Sequence, residues 1–164
     1  MEILGKSPIA APVLILGKLT MFLCWMFFLV KILDVDTMLY DSATTQLLGI
    51  AYAFAGLIIA VVGLVNLGEA ARVGLPERKT ELKTHGMYRF TRNPAYVGGF
   101  LVCLGSCQFS VHLVNFLLFG ITFVIHHLIV KKEEEFLENT FGEQWLEYKK
   151  RVPRYVGKVK SFTS

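Results

Sequence analysis

Hydrophobic residues fall into four long runs along the chain, with polar residues collected between the second and third runs and after the fourth. The runs cover residues 13–33, 47–67, 94–110 and 113–130. The second run is the cleanest, because it combines a length of 21 residues with the absence of any charged side chain. About 20 apolar residues are enough for a helix to cross the hydrocarbon core of a membrane. The pattern therefore predicts an all-α integral membrane protein with about four transmembrane helices, of which the last two are short.

The third and fourth runs are separated by a tight turn near residues 111 and 112. Two helices joined so closely form an antiparallel helical hairpin. Residues equally far from such a turn lie at the same depth, and Arg92 and Lys131 meet this condition. The hairpin is therefore expected to bring two polar clusters level with each other. These clusters are Tyr88, Arg92, Asn93 and Tyr96 before the third helix, and Glu133 and Glu134 after the fourth.

After Asn139 the pattern changes to an amphipathic helix with a period of three to four residues. Its apolar positions are Leu137, Phe141, Trp145, Tyr148 and Val152, with Glu and Lys between them. A helix of this kind lies along the membrane interface with its aromatic face among the headgroups. We expect a C-terminal interfacial helix, with Gly142 marking a bend before it.

Small residues repeat along one face of the second run, at Gly49, Ala53, Gly56, Ala60 and Gly63. Small residues at this spacing let a neighbouring helix approach closely. The stripe predicts a packing surface and no ligand site.

Composition agrees with a single membrane-embedded domain over residues 1–164. The chain is 54% hydrophobic and 18% charged, and its mean hydropathy is +0.51. Of 17 Lys and Arg residues, six lie between Arg72 and Arg92 and eight between Lys131 and Lys160. The 34–46 loop has three Asp and no Lys or Arg. This asymmetry follows the positive-inside rule and predicts a multi-pass protein with both termini in the cytosol. The net charge of +4 is then explained by contact with anionic membrane lipids and does not indicate nucleic-acid binding.

Cysteine usage predicts packing and no metal site. Cys103 and Cys107 are four residues apart in an apolar helix, and Cys24 is the third cysteine. A metal would need further ligands at the same depth, and the sequence offers none there.

The polar stretch before the third helix ends in Asn93-Pro94, an N-cap residue followed by a residue suited to the first helical position. A helix N-terminus favours anions. Arg92 and Tyr96 are also typical anchors at a membrane interface, so headgroup contact is the alternative interpretation. Glu133, Glu134 and Glu135 have a parallel alternative as a solvated helix end. If the fourth helix continues to about Asn139, these carboxylates do not lie at its C-terminus. If it ends near Val130, carboxylates are unfavourable there and require a cation from the protein or from a ligand.

His126 is the polar residue that shares a helix face with Glu133, since the two are seven residues apart. His127 points elsewhere. An ionisable residue inside a membrane is a functional candidate. A buried imidazole bonded to a neighbouring helix is the alternative.

The motifs of these two clusters resemble those of the isoprenylcysteine carboxyl methyltransferase and phospholipid methyltransferase family of integral membrane enzymes. The family pattern is Gly-x-Tyr, Arg-(His/Asn)-Pro-x-Tyr and Glu-Glu-x-x-Leu-x-x-x-Phe-Gly. It is found here in order within residues 82–99 and 133–153, inside a motif-bearing region of about 72–156. The match covers about 80 residues of the C-terminal half.

The resemblance implies an S-adenosyl-L-methionine-dependent methyltransferase whose lipophilic substrate enters from the bilayer. Residues carried over from the family motifs would line the cofactor pocket, with Glu134 beside them. These residues are Leu82, Lys83, Tyr88, Asn93, Pro94, Ala95, Tyr96 and Glu133. Arg92 and His126 are the candidate catalytic residues, and His126 is the candidate base for an amine or hydroxyl acceptor. His85 matches no fixed family position.

One departure from the family bears on the substrate. The carboxyl methyltransferases carry an Arg four residues before the first Glu of the motif, where this chain has Ile129. An amine, thiol or neutral lipid is therefore favoured over a carboxylate acceptor. Trp145 is also similar to a residue of membrane sterol reductases. An NADPH-dependent reductase and a non-enzymatic membrane protein thus remain the alternatives.

Overall fold

The computed structural model describes residues 10–34, 39–68 and 81–159, and their regular secondary structure is helical. Five α-helices and one short 3-10 helix follow in chain order. They are α1 (Ala11–Ile32), α2 (Ala43–Leu67), the 3-10 helix Gly86–Arg89, α3 (Pro94–Phe109), α4 (Leu113–Phe141) and α5 (Glu143–Arg151). The all-helical prediction is confirmed. The charged 69–80 segment, which carried part of the topology argument, lies outside the described residues.

Three of these helices, α1, α2 and α4, are long and apolar enough to cross a membrane. Helix α3 is also apolar but has only 16 residues. Large hydrophobic side chains on the long helices point away from the protein, as Phe22, Phe54 and Leu117 do. This arrangement fits a protein whose outer surface meets lipid chains.

The predicted hairpin is present, because α3 ends at Phe109 and α4 begins at Leu113. His112 caps α4, since its Nδ1 accepts a hydrogen bond from the Val114 amide at 3.1 Å. The turn is held from outside by Leu39, whose amide donates to the Val111 carbonyl at 2.8 Å.

Of the two possible ends of the fourth helix, near Val130 and near Asn139, the structure supports the later one. Helix α4 continues for 11 residues beyond Val130 to Phe141 and ends at Gly142, whose φ of +53° lies in the left-handed region. The backbone stays helical beyond the apolar run because Lys and Glu are good helix formers. Glu133 and Glu134 therefore lie inside the helix, away from the unfavourable C-terminal end of its dipole.

The small-residue stripe of α2 packs against α3, as predicted. A Cβ on Gly56 would lie 2.6 Å from the Gly98 carbonyl oxygen, and one on Gly105 would lie 2.6 Å from the Gly49 carbonyl oxygen. Glycines of both helices thus interlock, and the two backbones touch along much of α3. This contact holds α3 against α2 far more extensively than against α4.

Helix α1 packs against α3 and α4 through a buried cysteine cluster. Cys24, Cys103 and Cys107 are fully buried together. The Cys24 thiol donates to Asn115 Oδ1 at 3.0 Å, and Asn115 Nδ2 donates to Ser106 Oγ at 3.0 Å. The cysteines serve packing, as their spacing predicted.

The aromatic face of α5 packs inside the protein, which corrects the prediction that it lies among lipid headgroups. Trp145 and Tyr148 are each 2% exposed and form a core with Val152. Leu82, Leu137 and Phe141 cover the same core from other segments. Helix α5 thus folds back onto α4 and the segment before the 3-10 helix, because its apolar face is better buried there than in the interface.

Candidate active site

The hairpin brings the two polar clusters together, as the depth argument predicted. Tyr96 Oη donates to Glu133 Oε1 at 2.9 Å, and Arg92 Nε donates to Glu134 Oε1 at 2.9 Å. These contacts join the start of α3 to the middle of α4. They define a candidate site around two adjacent carboxylates.

Glu134 is neutralised by two arginines. Its side chain is 5% exposed, and its two oxygens face Arg92 on one side and Arg154 on the other. Arg154 donates through Nε at 3.0 Å and Nη2 at 2.7 Å to the second oxygen. Asn93 Nδ2 adds a longer contact to Glu134 at 3.4 Å. This carboxylate is therefore fully engaged by the protein.

The guanidinium of Arg92, one of the two predicted catalytic groups, is surrounded by protein acceptors. Its Nη1 donates to the carbonyls of Val152 at 2.8 Å and Lys149 at 3.0 Å. Its Cζ lies 5.7 Å from the centre of the Trp145 ring. With a side chain only 7% exposed, Arg92 connects Glu134 to the C-terminal part of the chain.

Asn93 stands at the N-cap position of α3, but its side chain makes no capping hydrogen bond. Its amide group turns instead to Glu134 and to the carbonyl of Arg154, at 3.2 Å. The expected side-chain cap is thus replaced by a contact between chain segments. The amide groups in the first turn of α3 therefore receive no hydrogen bond from the Asn93 side chain.

Residues 152–155, which we call the C-terminal strap, lie across the start of α3. The Val152 carbonyl accepts from Arg92 Nη1, and the Pro153 carbonyl accepts from the Arg92 amide at 3.0 Å. The Arg154 carbonyl accepts from Thr91 Oγ1 at 3.0 Å and from Asn93. Three consecutive carbonyls are therefore held by residues just before α3.

Arg154 and Tyr155 belong to this site and were not found from the sequence. They follow the last helix in a segment without periodic pattern. One signal was present: three acidic residues at a helix required a cation, and Arg154 is a basic residue just after α5. Glu134 holds the pKa of Arg154 above its usual value through their hydrogen bonds.

Glu133 differs from its neighbour. Its side chain is half-buried, and Tyr96 is the residue that hydrogen-bonds it within the described ranges 10–34, 39–68 and 81–159. A phenol supplies one hydrogen bond and no positive charge. The two adjacent carboxylates thus have different partners, because Glu134 pairs with two guanidinium groups and Glu133 accepts from a phenol.

The Gly-x-Tyr motif is held against α2 by Asn66. Asn66 Oδ1 accepts from the Met87 amide at 2.8 Å. Gly86 has a φ of +61°, and a Cβ there would overlap the Asn66 side chain, so this position requires glycine. Tyr88 is buried, its carbonyl accepts from Tyr148 Oη at 2.7 Å, and burial raises the pKa of its phenol to about 12.

The remaining predicted cofactor residues surround this region without forming one cluster. Pro94 is fully buried and lies against Gly63 of α2, with Ala95 half-buried beside it. Leu82 packs on the α5 core, and Lys83 is half-buried next to it in the chain. The structure therefore brings Tyr96, Glu133, Glu134 and Asn93 together and places Leu82 and Pro94 in packing contacts.

His126 lies about two helical turns before Glu133 on α4 and is 4% exposed. Its Nδ1 is 2.8 Å from the Thr122 carbonyl oxygen, and its ring meets the Tyr96 ring edge-on at 5.7 Å. Because a carbonyl only accepts, Nδ1 carries the proton and Nε2 keeps its lone pair. His127 points elsewhere, as predicted, and its Nδ1 is 3.2 Å from Tyr155 Oη.

Ile129, which stands where the family's carboxylate-binding arginine is expected, faces α1. Its side chain is 3% exposed. A Cβ on Gly17 would lie 3.3 Å from Ile129 Cδ1 and 3.3 Å from His126 Cε1. A longer side chain at this position would meet the α1 backbone.

An open polar cavity of about 310 Å³ also has Glu134 in its lining. Its lining includes Lys131, Glu138, Lys149 and Arg154, but neither Tyr96 nor Glu133. Two of its pairs neutralise each other, since Lys149 bridges Glu138 at 2.8 Å and Arg154 bridges Glu134. We therefore place the candidate site at Tyr96 and Glu133 and not in this cavity.

A family model described as phospholipid methyltransferase matches residues 44–144, which include all of α2 except its first residue and the whole of α3 and α4. The chain belongs to this family. The α3–α4 hairpin, which carries the two polar clusters, lies entirely within the match.

The chain is also similar to curated proteins named protein-S-isoprenylcysteine O-methyltransferase. It is 34% identical to the Schizosaccharomyces pombe protein over 73 residues, which cover 44% of this chain and 31% of that protein. It is 43% identical to the Xenopus laevis protein over 76 residues, or 44% of this chain and 25% of that protein. The Arabidopsis thaliana protein B is 25% identical over 111 residues, covering 64% of this chain and 55% of that protein.

This member of the phospholipid methyltransferase family thus spans about a quarter to a half of the relatives named above. The comparison with solved structures found no significant match.

Proposed function

We propose that the chain is an S-adenosylmethionine-dependent methyltransferase that acts on a lipophilic acceptor at the cytosolic face of a membrane. Family membership and the names of the relatives support methyl transfer. The observation that carries the proposal is the contrast between Glu134, which meets two arginines, and Glu133, which meets only Tyr96 within the described residues. A half-buried carboxylate without a cation favours a ligand that brings positive charge or hydroxyl donors.

The polar groups around Glu133 match the functional groups of S-adenosylmethionine. The cofactor carries an ammonium group and ribose hydroxyls, which donate hydrogen bonds to a protein carboxylate. It also carries a carboxylate of its own, which amide groups at a helix N-terminus bind. Glu133 would accept hydrogen bonds from the ammonium group or the ribose hydroxyls. The amide groups in the first turn of α3, after Asn93, would bind the carboxylate of the cofactor. Leu82, Lys83, Tyr88, Pro94, Ala95, Tyr96 and Glu134 complete the proposed cofactor set. When bound, the cofactor supplies an activated methyl group.

Residues of the chain would then position the acceptor and take its proton. Positioning and exclusion of water supply much of the rate when the methyl donor is already activated. His126 is the proposed base, because its Nδ1 is held by the Thr122 carbonyl and its Nε2 lone pair remains available. Arg92 acts through Glu134 and the strap, so we now propose that it is a positioning residue.

The acceptor we propose carries a nucleophilic amine, thiol or hydroxyl and not a carboxylate. The relatives are named as methyltransferases of isoprenylcysteine. In this chain Ile129 occupies the position of the expected carboxylate-binding arginine and is buried against α1. His126 suits an acceptor that must lose a proton, whereas a carboxylate needs no base at neutral pH.

We further propose that α3 also crosses the membrane, which gives four spans with both termini in the cytosol. The apolar composition of α3 and the distribution of Lys and Arg support this topology. A cysteine introduced at Thr44, an exposed position at the start of α2, should react with an impermeant reagent added outside. One introduced at Thr84 should not. Reaction of the cysteine at position 84 alone would indicate the opposite orientation in the membrane.

Calorimetry of the purified protein tests the cofactor assignment. S-adenosylhomocysteine and NADPH are titrated in parallel into the protein in detergent. Binding of S-adenosylhomocysteine without binding of NADPH is the expected result. Binding of NADPH alone would replace the proposal with a reductase, and binding of neither ligand by folded protein would favour a non-enzymatic role.

A further inference from the structure

The open polar cavity of about 310 Å³ has no part in the proposed methyl transfer. Part of its lining is one face of α4, since Lys131, Glu134 and Glu138 follow each other at spacings of three and four residues. Further lining comes from Lys149 near the end of α5 and from Arg154 of the C-terminal strap. The cavity thus lies where the charged part of α4 meets the segment that folds back onto it.

The three described carboxylates in this lining all have a cation as partner. Glu138 pairs with Lys149 at 2.8 Å, and Glu135 pairs with Lys132 at 2.9 Å. Glu134 is held by two arginines. Each of these carboxylates therefore already has its counter-charge within the protein.

Three hydrogen-bond donors in the same lining have no such partner. The exposed side chains of Lys131 and Asn139 make no ion pair or hydrogen bond with any residue of the described ranges 10–34, 39–68 and 81–159. Arg154 uses Nε and Nη2 for Glu134, so its Nη1 has no acceptor in the same ranges. An ammonium group, one end of a guanidinium group and an amide therefore remain available to a ligand.

These donors suit an anion that offers several acceptor oxygens. Phosphate is such an anion, and its hydrogen bonds with ammonium and guanidinium groups are charge-assisted and therefore strong. A cationic ligand would instead have to compete for carboxylates that are already paired with lysine or arginine. The lining therefore favours a phosphate over a cation.

The position of the cavity along α4 indicates where the phosphate comes from. Lys131 directly follows Val130, the last residue of the apolar run. In a helix that crosses a membrane, the hydrocarbon core ends at this level and the lipid headgroups begin. Basic pockets at this level bind anionic headgroups. The volume of the cavity is at the lower end of the range for small-ligand sites, which suits a headgroup whose chains stay in the bilayer.

We propose that this cavity binds the phosphate of an anionic lipid headgroup, with Lys131 as its main contact and Arg154 and Asn139 as further donors. The inference goes beyond the proposed function and does not depend on methyl transfer, because it uses neither Tyr96 nor Glu133. Arg154 also holds Glu134, so a bound phosphate would give the C-terminal strap an additional anchor.

Native mass spectrometry of the purified protein in a neutral detergent tests this site. Phosphatidic acid, whose phosphate is exposed, should be retained as one molecule and in preference to phosphatidylcholine with the same chains. Lys131→Gln should weaken this binding about tenfold or more, the usual effect of losing a hydrogen bond to a charged group.

Lys132→Gln is the matched control and should bind phosphatidic acid like wild type. Lys132 is the adjacent lysine, but it is paired with Glu135 and lies outside the described lining of this cavity. Equal weakening in the two variants would indicate general attraction of headgroups to basic residues and would overturn the inference. So would the absence of a preference for phosphatidic acid.

Acetylation of lysines by acetic anhydride, located by mass spectrometry, identifies the ligand of the cavity. Phosphatidic acid should protect Lys131 several-fold and leave Lys132 reactive. Inorganic phosphate at the same concentration should not protect Lys131, and equal protection by it would overturn the assignment to a lipid while keeping a phosphate site. S-adenosylhomocysteine should not displace the lipid. Displacement would assign the cavity to the cofactor and overturn the inference, whereas its absence leaves the proposed function to its own calorimetric test.

Discussion

Arg154 and Glu134 are joined by two hydrogen bonds that end on one carboxylate oxygen, at 3.0 and 2.7 Å. The other oxygen faces Arg92 at 2.9 Å. One carboxylate in the middle of α4 therefore connects the start of α3 to the C-terminal strap. Because the side chains of Glu134 and Arg92 are 5% and 7% exposed, this pair is shielded from the solvent that weakens surface ion pairs.

Glu134→Ala should destabilise the protein strongly. The substitution leaves the Arg92 guanidinium buried without a counter-charge, and breaking a buried ion pair in this way costs about 3–5 kcal/mol. Glu138→Ala is the matched control one turn further along α4, because its partner Lys149 is 40% exposed and surface pairs contribute about 0–1 kcal/mol. Denaturant unfolding in a fixed detergent measures both. Similar losses in the two variants would mean that Glu134 is no more than a surface ion pair.

Glu133→Gln should weaken S-adenosylhomocysteine binding about tenfold to hundredfold, which is the contribution of a hydrogen bond to a charged group. Glu135→Gln removes the same charge two residues away, where the side chain is 62% exposed and paired with Lys132. It should bind like wild type. Calorimetry of the two variants measures the difference. Equal affinities would remove Glu133 from the cofactor site.

His126→Gln should lower kcat for amine and thiol acceptors by about a hundredfold or more while S-adenosylhomocysteine affinity stays the same. Glutamine has no lone pair of comparable basicity, but it can keep a hydrogen bond to the Thr122 carbonyl. His112→Gln is the control, since His112 lies at the N-cap of α4, at the opposite end of that helix from the site. Rates at saturating acceptor distinguish the two. An unaffected kcat in His126→Gln would assign His126 to helix packing.

Ile129→Arg tests the acceptor class. Wild type should methylate prenylated cysteine analogues poorly, and the arginine should move activity toward lipophilic acids. Ile129→Met keeps the volume of the side chain without charge and should leave the acceptor preference unchanged. Methylation of a panel of lipophilic acids, amines and thiols with labelled S-adenosylmethionine provides the measurement.

Lys132→Ala completes this experiment, because Lys132 is three residues after Ile129 and is another cation on α4. Efficient carboxyl methylation by wild type, undiminished in Lys132→Ala, would contradict the proposed preference. The buried position of Ile129 against Gly17 adds a requirement for the arginine variant. Its S-adenosylhomocysteine affinity must be intact before its acceptor preference is interpreted.

Gly98→Ala should destabilise the contact between α2 and α3. A Cβ there would overlap the Gly56 carbonyl and the Ala60 backbone, and overpacking of this kind costs about 1–3 kcal/mol. Gly120→Ala is the control, since a Cβ at Gly120 of α4 meets no atom within 4 Å. Thermal unfolding in detergent should separate the two variants. A stable Gly98→Ala protein would show that the two helices have room to move apart.

The sequence by itself determined the helices and the level at which the polar clusters meet. Each helix satisfies its own backbone, so an apolar run of membrane length is enough to predict it. The short connection between α3 and α4 determined which residues share a depth, and the contacts of Arg92 with Glu134 and of Tyr96 with Glu133 follow from it. The small residues of α2 likewise predicted a close helix contact without identifying α3 as the partner.

Only the tertiary structure decided how the site is closed. Hydropathy ends with the apolar run at Val130, whereas the helical hydrogen bonds of α4 continue through charged residues to Phe141. The apolar face of α5 has the same pattern whether it meets headgroups or protein, and the folded chain buries Trp145 and Tyr148. Arg154 and Tyr155 follow no period, and they reach Glu134 and Phe100 because α5 turns the chain back over α3. A contact made by such a return depends on the path of the whole chain, which local pattern does not contain.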